Sequence, residues 1–301
     1  MAQIRANFLI LSVFLVLIGL AFSIKYPSGN EFNFIHAILL VLGVVTSHIS
    51  VNLFNEYSDY HTKIDFKTNR TPFSGGSGML TSGSNSPRQV LSVAILTLII
   101  ALCIGVYFSI IAHWSILVIS LIGAFSIVFY TNFLAKLMLG ELFAGLALGS
   151  FVVLGTYIAM TANPGMQSGT LVPVEVEWLS IPPGILTGLL LFINEFPDSE
   201  ADLGGGRNHM VIRLGKKKAA WVYSAGMVAT FTIIMVLPIT GLSSYWIYLA
   251  LFPVPFAVKA SITAIRYNEN HSKMVPALGS NVAAVLLTDL LLAIAIFIEV
   301  M

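Results

Sequence analysis

The sequence predicts an all-α, polytopic membrane protein of nine transmembrane helices, arranged as two four-helix repeats plus one extra helix. Three observations predict it. Of the 301 residues, 57% are hydrophobic and only 10% charged, whereas a water-soluble domain carries about 25% charged residues. The apolar residues gather in nine segments, 7–24, 34–57, 88–110, 113–135, 140–161, 180–197, 218–238, 244–266 and 278–300, each near the ~20 residues that cross a bilayer. With the N-terminus in the cytoplasm, every Lys and Arg except Lys25 falls on the inner side, the asymmetry of a positive-inside topology.

The first apolar stretch has no small-residue cleavage site and is followed by others. It therefore reads as the first spanning helix and not as a signal peptide. Arg5 precedes it on the inner side. The inner loop 58–87, with Lys63, Lys67 and Arg70, follows the second segment, and Arg88 opens the third. Cys103 in the third segment is alone, which excludes an internal disulfide; a small buried apolar residue is the expectation. Lys136 marks the short inner turn after the fourth segment. The outer loop 162–179 lacks Lys and Arg, and its acids Glu175 and Glu177 are expected to face water. The inner loop 198–217 carries Arg207, Arg213, Lys216 and Lys217, and Lys216–Lys218 fit an anchor at anionic headgroups. Lys259, Arg266 and Lys273 mark the inner ends of the last two helices, and the C-terminus falls outside. A net charge of +1 gives no basis for nucleic-acid binding.

The acids are concentrated. Seven of the 14 lie in two stretches. One is Asn55-Glu56-Tyr57-Ser58-Asp59, continuing to Asp65. The other is Asn194-Glu195-Phe196-Pro197-Asp198-Ser199-Glu200-Ala201-Asp202. Both begin Asn-Glu-aromatic-x-Asp at the inner end of an even-numbered segment, four helices apart, which suggests an internal duplication. Residues four apart share a helix face, so Asn55 stacks with Asp59, and Asn194 with Asp198 and Asp202. Pro197 leaves two readings open: the helix runs on through Asp202, or it ends and Asp202 lies on the loop. Carboxylates at a membrane-embedded helix end are costly unless neutralised. Hard oxygen ligands in this number suit Mg²⁺ bridging to phosphate oxygens.

On these residues the chain resembles the UbiA superfamily of intramembrane prenyltransferases over nearly its whole length. Asn194, Asp198 and Asp202 match that family's NxxxDxxxD pattern. The longer spacing from Asp59 to Asp65 is similar to the menaquinone branch, the 1,4-dihydroxy-2-naphthoate prenyltransferases. So is Arg207-Asn208-His209-Met210-Val211-Ile212-Arg213-Leu214-Gly215, which resembles the branch's (K/R)NxxxxRLG ending. That branch usually has a basic residue directly after the last Asp. Here Leu203 and three glycines follow, which leaves phosphate contacts to Arg207 or to backbone N–H groups.

The resemblance implies one membrane-embedded prenyltransferase domain over 1–301, capped on the cytoplasmic side by loops 58–87 and 198–217, in a prokaryotic cell membrane. It implies Mg²⁺ held by Asn55, Asp59, Asp65, Asn194, Asp198 and Asp202, with Asp59 and Asp198 central to catalysis. It implies a prenyl diphosphate donor and an aromatic acceptor, 1,4-dihydroxy-2-naphthoate, whose ring carboxylate leaves as CO₂. Arg70, Lys136 and Arg207 would contact the diphosphate, and Tyr130 would face the prenyl cation. Asn52 and Tyr57 would border the pocket.

Each of these residues also has a plainer reading. Arg70 sits in a Gly-rich loop, Arg70–Gly78, without the Lys-Ser/Thr of a P-loop, and could be a solvated residue of a connector. Topology alone explains Lys136. His61 and His209 are candidate bases, although loop histidines are ordinarily solvated. His48 fits a satisfied buried polar group as well as a pocket residue. Glu141 is expected to be structural. Asp289 is expected to pair with a polar neighbour away from the site. The rival classes are a terpene cyclase with the same metal site, a transferase for a phenol, tetrapyrrole or lipid glycerol, and a secondary transporter. Both acidic motifs fall on one side of the membrane, which argues against the inverted repeats of transporters.

Overall fold

The structure is a computed structural model and describes residues 6–28, 31–131 and 133–301. Arg5 lies outside the described residues. Among those described, the chain is helical throughout, and eight segments are long and apolar enough to cross a membrane. They are α1 (Ala6–Lys25), α2 (Phe34–His61), α3 (Pro87–Ile111), the run Gly140–Thr161, α7 (Val174–Gly204), α9 (Lys216–Ile239), the run Tyr245–Tyr267 and α11 (His271–Val300). A shorter apolar helix, α4 (Ser115–Phe129), occupies the place of the fourth sequence segment. The run Gly140–Thr161 is α5 (Gly140–Gly145), a π turn and α6 (Phe151–Thr161). α8 (Met210–Leu214) is a short helix, and α10 (Val254–Tyr267) follows a 3₁₀ stretch.

Local chemistry sets several boundaries. Asn33 accepts hydrogen bonds from the N–H groups of Ile35 and His36 to start α2. Ser86 and Gln89 form a reciprocal capping box, with Pro87 in the first turn of α3. Each arrangement satisfies backbone donors that a helix start leaves free. α1 packs against α2, α6 and α11, while α7 packs against α5, α9 and α11. Large apolar side chains such as Ile38, Leu96, Ile110, Val228 and Phe252 stay exposed on the outer faces, as suits contact with lipid. Cys103 joins them. It is exposed on α3, contrary to expectation, because an apolar thiol is as comfortable against lipid as in a core.

α7 is the central element. It runs through Pro197 to Gly204, so Asp202 is helical and shares a face with Asn194 and Asp198. A transmembrane helix tolerates such a proline when neighbours satisfy the freed groups. The polar loop expected over 198–217 is accordingly shorter and includes α8. Where α7 crosses the α5 run, glycines face glycines. A Cβ on Gly145 would stand 2.6 Å from the Gly184 carbonyl oxygen, one on Gly149 2.6 Å from Gly184 Cα, and one on Gly188 2.8 Å from the Glu141 carbonyl oxygen. Small residues here let the two backbones touch. The π turn Leu146–Ser150 lies in this contact, where Ser150 Oγ donates to the Ser180 carbonyl at 2.9 Å.

At the other end of the bundle, Glu175 is buried. It accepts from Lys25 Nζ at 2.5 Å and from Tyr26 Oη, and Lys25 Nζ also lies 2.7 Å from Glu299. The expectation that Glu175 faces water is therefore corrected: the ends of α1, α7 and α11 converge there, and Lys25 supplies the counter-charge. Glu177 is exposed, as expected.

The glycine contact yields a prediction. Gly149→Leu forces the α5 run away from α7 and should lower stability by about 1–3 kcal/mol, the usual cost of overpacking. Gly169→Ala, with nothing within 4 Å of its new Cβ, should change little. Thermal melts of both variants in detergent check this; equal melting temperatures would contradict the packing account.

Candidate functional site

Both acidic motifs open into one cavity of about 320 Å³. Asn55, Asp59 and Asp65 reach it from α2 and the following loop, and Asn194, Asp198 and Asp202 from α7. The remainder of the wall is largely apolar, with Leu98, Phe108, Ile119, Phe151 and Leu190 among its residues. The cavity thus has an acidic end and a greasy body.

Arg207 ties the acidic end together. Its Nη1 donates to Asp202 Oδ1 at 2.9 Å, and its Nη2 donates to Asn55 Oδ1 at 3.0 Å and to Asp59 Oδ1. One guanidinium therefore joins Asp59 to Asp202, and Arg207 itself lies 148 positions from Asp59 in the chain. Burial works against the Arg207 charge, but the Asp59 and Asp202 carboxylates outweigh it and push its pKa up. Asn55 is fixed from a third side: Thr131 Oγ1 donates to its Oδ1 at 3.1 Å, and its Nδ2 donates to Asp59 Oδ2 at 3.0 Å. Asn55 thus acts as a hub between α2, the turn after α4 and the segment after α7.

The Gly-rich loop folds over the mouth. Thr68, Ser74, Gly75 and Gly76 line the cavity. Gly76 has a positive φ of 68°, and a Cβ there would meet the Asp65 carboxylate. Glycine is the residue that fits. Glu56 is buried and accepts from the backbone N–H of Ser77 at 3.2 Å and from its hydroxyl, which fastens the loop to α2. Arg70 is exposed and does not line the cavity. Its Nε donates to the Gly75 carbonyl at 3.3 Å and its Nη2 to Thr81 Oγ1 at 2.7 Å, so it shapes the loop.

The other sequence candidates divide. Asn52, Tyr130 and His48 line the cavity, and His48 Nδ1 also shares a 2.8 Å hydrogen bond with Ser12. Tyr57 packs instead with Leu53, Leu80 and Val90 and against the His61 ring. Lys136 is exposed on its 3₁₀ turn, outside the cavity lining. Asp289 is also outside it. Both its carboxylate oxygens are buried and make no hydrogen bond among the described residues, so the expected polar partner is not there. His209 is not solvated: it is 1% exposed, with Nε2 at 3.2 Å from Asp202 Oδ2 and Nδ1 at 3.1 Å from Glu195 Oε2. Burial opposes its charge, but the Asp202 and Glu195 carboxylates prevail and raise its pKa to about 9. Glu141, 4% exposed, accepts from the Met210 N–H at 3.0 Å and so holds the start of α8.

Glu195 and Thr131 escaped the sequence reading as site residues, and His209 entered it only as a candidate base expected to be solvated. Glu195 had a usable signal, since it lies seven positions before Asp202 and hence on one helix face with it. Thr131 had none, because its partner Asn55 comes from a distant segment.

The donor set can hold a hard divalent cation. Asn55, Asp59, Asp65, Asn194, Asp198 and Asp202 border one space, and Asn194 Oδ1 is buried without a hydrogen bond among the described residues. All-oxygen sets of this kind suit Mg²⁺.

Comparison with known proteins places the fold. Residues 8–285 match the model of the UbiA prenyltransferase family. The chain is 29% identical over 287 residues to a 1,4-dihydroxy-2-naphthoate octaprenyltransferase of Bacillus subtilis (strain 168), covering 94% of this chain and 87% of that one. In fold it is similar to a UbiA homolog from Aeropyrum pernix K1, with a TM-score of 0.74, 18% identity and 98% of each chain covered. A UbiA homolog from Archaeoglobus fulgidus, solved with GPP and Mg²⁺, superposes with a TM-score of 0.61 at 14% identity, again over 98% of each chain. With its family model spanning all but the two ends of the chain, the protein belongs to the UbiA prenyltransferase family.

Proposed function

We propose that this protein transfers a prenyl group from a prenyl diphosphate to 1,4-dihydroxy-2-naphthoate, with Mg²⁺ as cofactor, on the cytoplasmic side of a prokaryotic cell membrane. The observation that carries the reading is the meeting of both Asn/Asp motifs at the acidic end of an otherwise apolar cavity. The Bacillus relative named for this acceptor supports the choice of substrate. The distribution of Lys and Arg supports nine crossings, counting α4, with the N-terminus inside. The matching motifs on α2 and α7 support two four-helix repeats followed by α11.

Asn55, Asp59, Asp65, Asn194, Asp198 and Asp202 would hold Mg²⁺. Bound there, Mg²⁺ would supply positive charge to neutralise the diphosphate and the charge that grows on it as the allylic C–O bond breaks. Arg207 adds a buried cation suited to bidentate contact with phosphate oxygens. The isoprenoid tail lies along Phe108, Ile119, Phe151 and Leu190, where scarce water protects the allylic cation. Tyr130 presents an aromatic ring near the acidic end, and Asn52 a polar contact for the acceptor. A ring carbon of the acceptor forms the new C–C bond. That carbon is the one bearing the carboxylate, which leaves as CO₂, and the electrons of the broken C–C bond restore the aromatic ring. Arg70 acts through the loop it shapes. Lys136, on its exposed turn, draws anionic substrate toward the mouth.

Initial rates of the purified protein test this. Mg²⁺, a prenyl diphosphate and 1,4-dihydroxy-2-naphthoate together should give the prenylated ring, and excess chelator should stop it. Turnover of the prenyl diphosphate alone to a cyclic hydrocarbon would show a cyclase instead. Asp59→Ala and Asp198→Ala should each lose about 100-fold or more, on the scale of removing a preorganised group that stabilises transition-state charge. Lys136→Ala should lose no more than about tenfold, since an exposed charge is worth ~1 kcal/mol or less. A larger loss from Lys136→Ala than from Asp198→Ala would overturn these assignments.

Arg207 gives a second test. Arg207→Gln removes the guanidinium shared by Asp59 and Asp202, which should destabilise the Mg²⁺-free protein by about 3–5 kcal/mol. Mg²⁺ should then raise the melting temperature of the variant more than that of the native protein. Equal responses to Mg²⁺ would show that Arg207 and the cation do not share these carboxylates.

A further inference from the structure

Behind the Asn/Asp cradle lies a second group of buried ligands. Glu141 comes from α5, Glu195 from α7, and His209 from the segment before α8. Each offers one ligand atom, and these atoms lie within 4.8 Å of one another. Glu141 is 4% exposed, Glu195 6% and His209 1%. Glu141 Oε2 makes no hydrogen bond among the described residues, while Glu195 Oε2 and His209 Nδ1 face each other at 3.1 Å. The opposite atoms of two of these side chains are engaged. Glu141 Oε1 accepts from the Met210 N–H at 3.0 Å, and His209 Nε2 faces Asp202 Oδ2 at 3.2 Å. Two side chains are thus held from outside, and the ligand atoms of all three share one buried space, with Glu141 Oε2 unmatched in it.

Two neighbouring carboxylates in a low-dielectric interior repel each other strongly. Arg207, the nearby permanent cation, is committed to Asp59 and Asp202. We infer that Glu141, Glu195 and His209 form a second cation site, distinct from the Asn/Asp cradle, for one divalent transition ion of the Zn²⁺ type. The inference goes beyond prenyl transfer and does not depend on it.

The chemistry selects the ion. One imidazole nitrogen with two carboxylates suits zinc, whereas Mg²⁺ prefers oxygen alone. The spacing fits as well. Bonds of about 2.0–2.2 Å place tetrahedral ligands roughly 3.3–3.6 Å apart. His209 Nδ1 and Glu195 Oε2 are already 3.1 Å apart, and the widest spacing must close by about an ångström. The Asp202 carboxylate behind His209 Nε2 fixes the ring, in the carboxylate–histidine–metal arrangement that holds a ligating imidazole in one orientation. A bound ion fastens α5, α7 and the segment bearing Arg207 to one another.

Zinc uptake by the full-length protein in detergent, without substrate, tests the site. The protein is stripped with chelator, equilibrated with Zn²⁺ in the presence of excess Mg²⁺, desalted, and its metal content read by mass spectrometry. About one zinc per chain should remain, and X-ray absorption should show one imidazole nitrogen among oxygen ligands. Asp198→Asn should keep this zinc. His209→Gln and Glu141→Gln should each weaken zinc binding by at least the roughly 10- to 100-fold lost when outer partners of a metal site are changed. Size-exclusion profiles confirm that each variant is folded, and the absorption spectrum of the native protein needs no variant. No retained zinc, a spectrum without imidazole, or loss in Asp198→Asn with retention in Glu141→Gln would overturn the inference. A negative result would leave prenyl transfer untouched, because its assay requires only Mg²⁺.

Discussion

Carboxylates buried at the end of a membrane bundle must be matched by positive charge, and much of this structure serves that requirement. Asp59, Asp65 and Asp202 are almost wholly buried. An isolated carboxylate in such surroundings would cost many kcal/mol. Arg207 meets the need by reaching Asp59 and Asp202 at once. Its position requires that α7 continue past Pro197, that the chain turn back through Gly204–Gly206, and that Asn55 be fixed between Thr131 and Asp59. Gly206, with φ of 84°, takes a turn conformation that residues with side chains rarely adopt.

The wider fold makes that convergence possible. Glycines at 145, 149, 184 and 188 bring α7 against the α5 run closely enough for Glu141 and Glu195 to meet. At the opposite end, Lys25 joins Glu175 and Glu299 and so fixes the start of α7 relative to α1 and α11. α7 is therefore held at both ends by buried charge and in its middle by backbone contact. The largely apolar cavity lies alongside it.

Much of this was legible in the sequence, and the rest was not for identifiable reasons. Apolar length placed the segments well, because a bilayer imposes one strong constraint on every crossing. The repeat Asn-Glu-aromatic-x-Asp located the acidic end, since helical spacing determines which residues share a face. Contacts between distant segments left no local trace. Nothing near Asn55 announces Thr131, and His209 reads as a loop histidine until α7 and α5 enclose it. Glu175 illustrates the opposite failure: a loop-edge acid reads as solvated, yet three helix ends meet around it. Cys103 was misjudged because burial rules drawn from water-soluble cores do not separate a core face from a lipid face. Lys136 and Arg70 carry charge suited to a diphosphate, but side-chain direction, which spacing does not specify, leaves both outside the cavity lining.

The central claim is that two motifs separated by more than a hundred residues form one cation and diphosphate site. An experimental structure of the protein with Mg²⁺ and an unreactive prenyl thiodiphosphate tests it most directly. The account predicts Mg²⁺ bound by side chains of both motifs, with the diphosphate touching Arg207 and the tail running along Phe108 and Phe151. Metal bound by one motif alone, or a diphosphate seated away from Arg207, would contradict it.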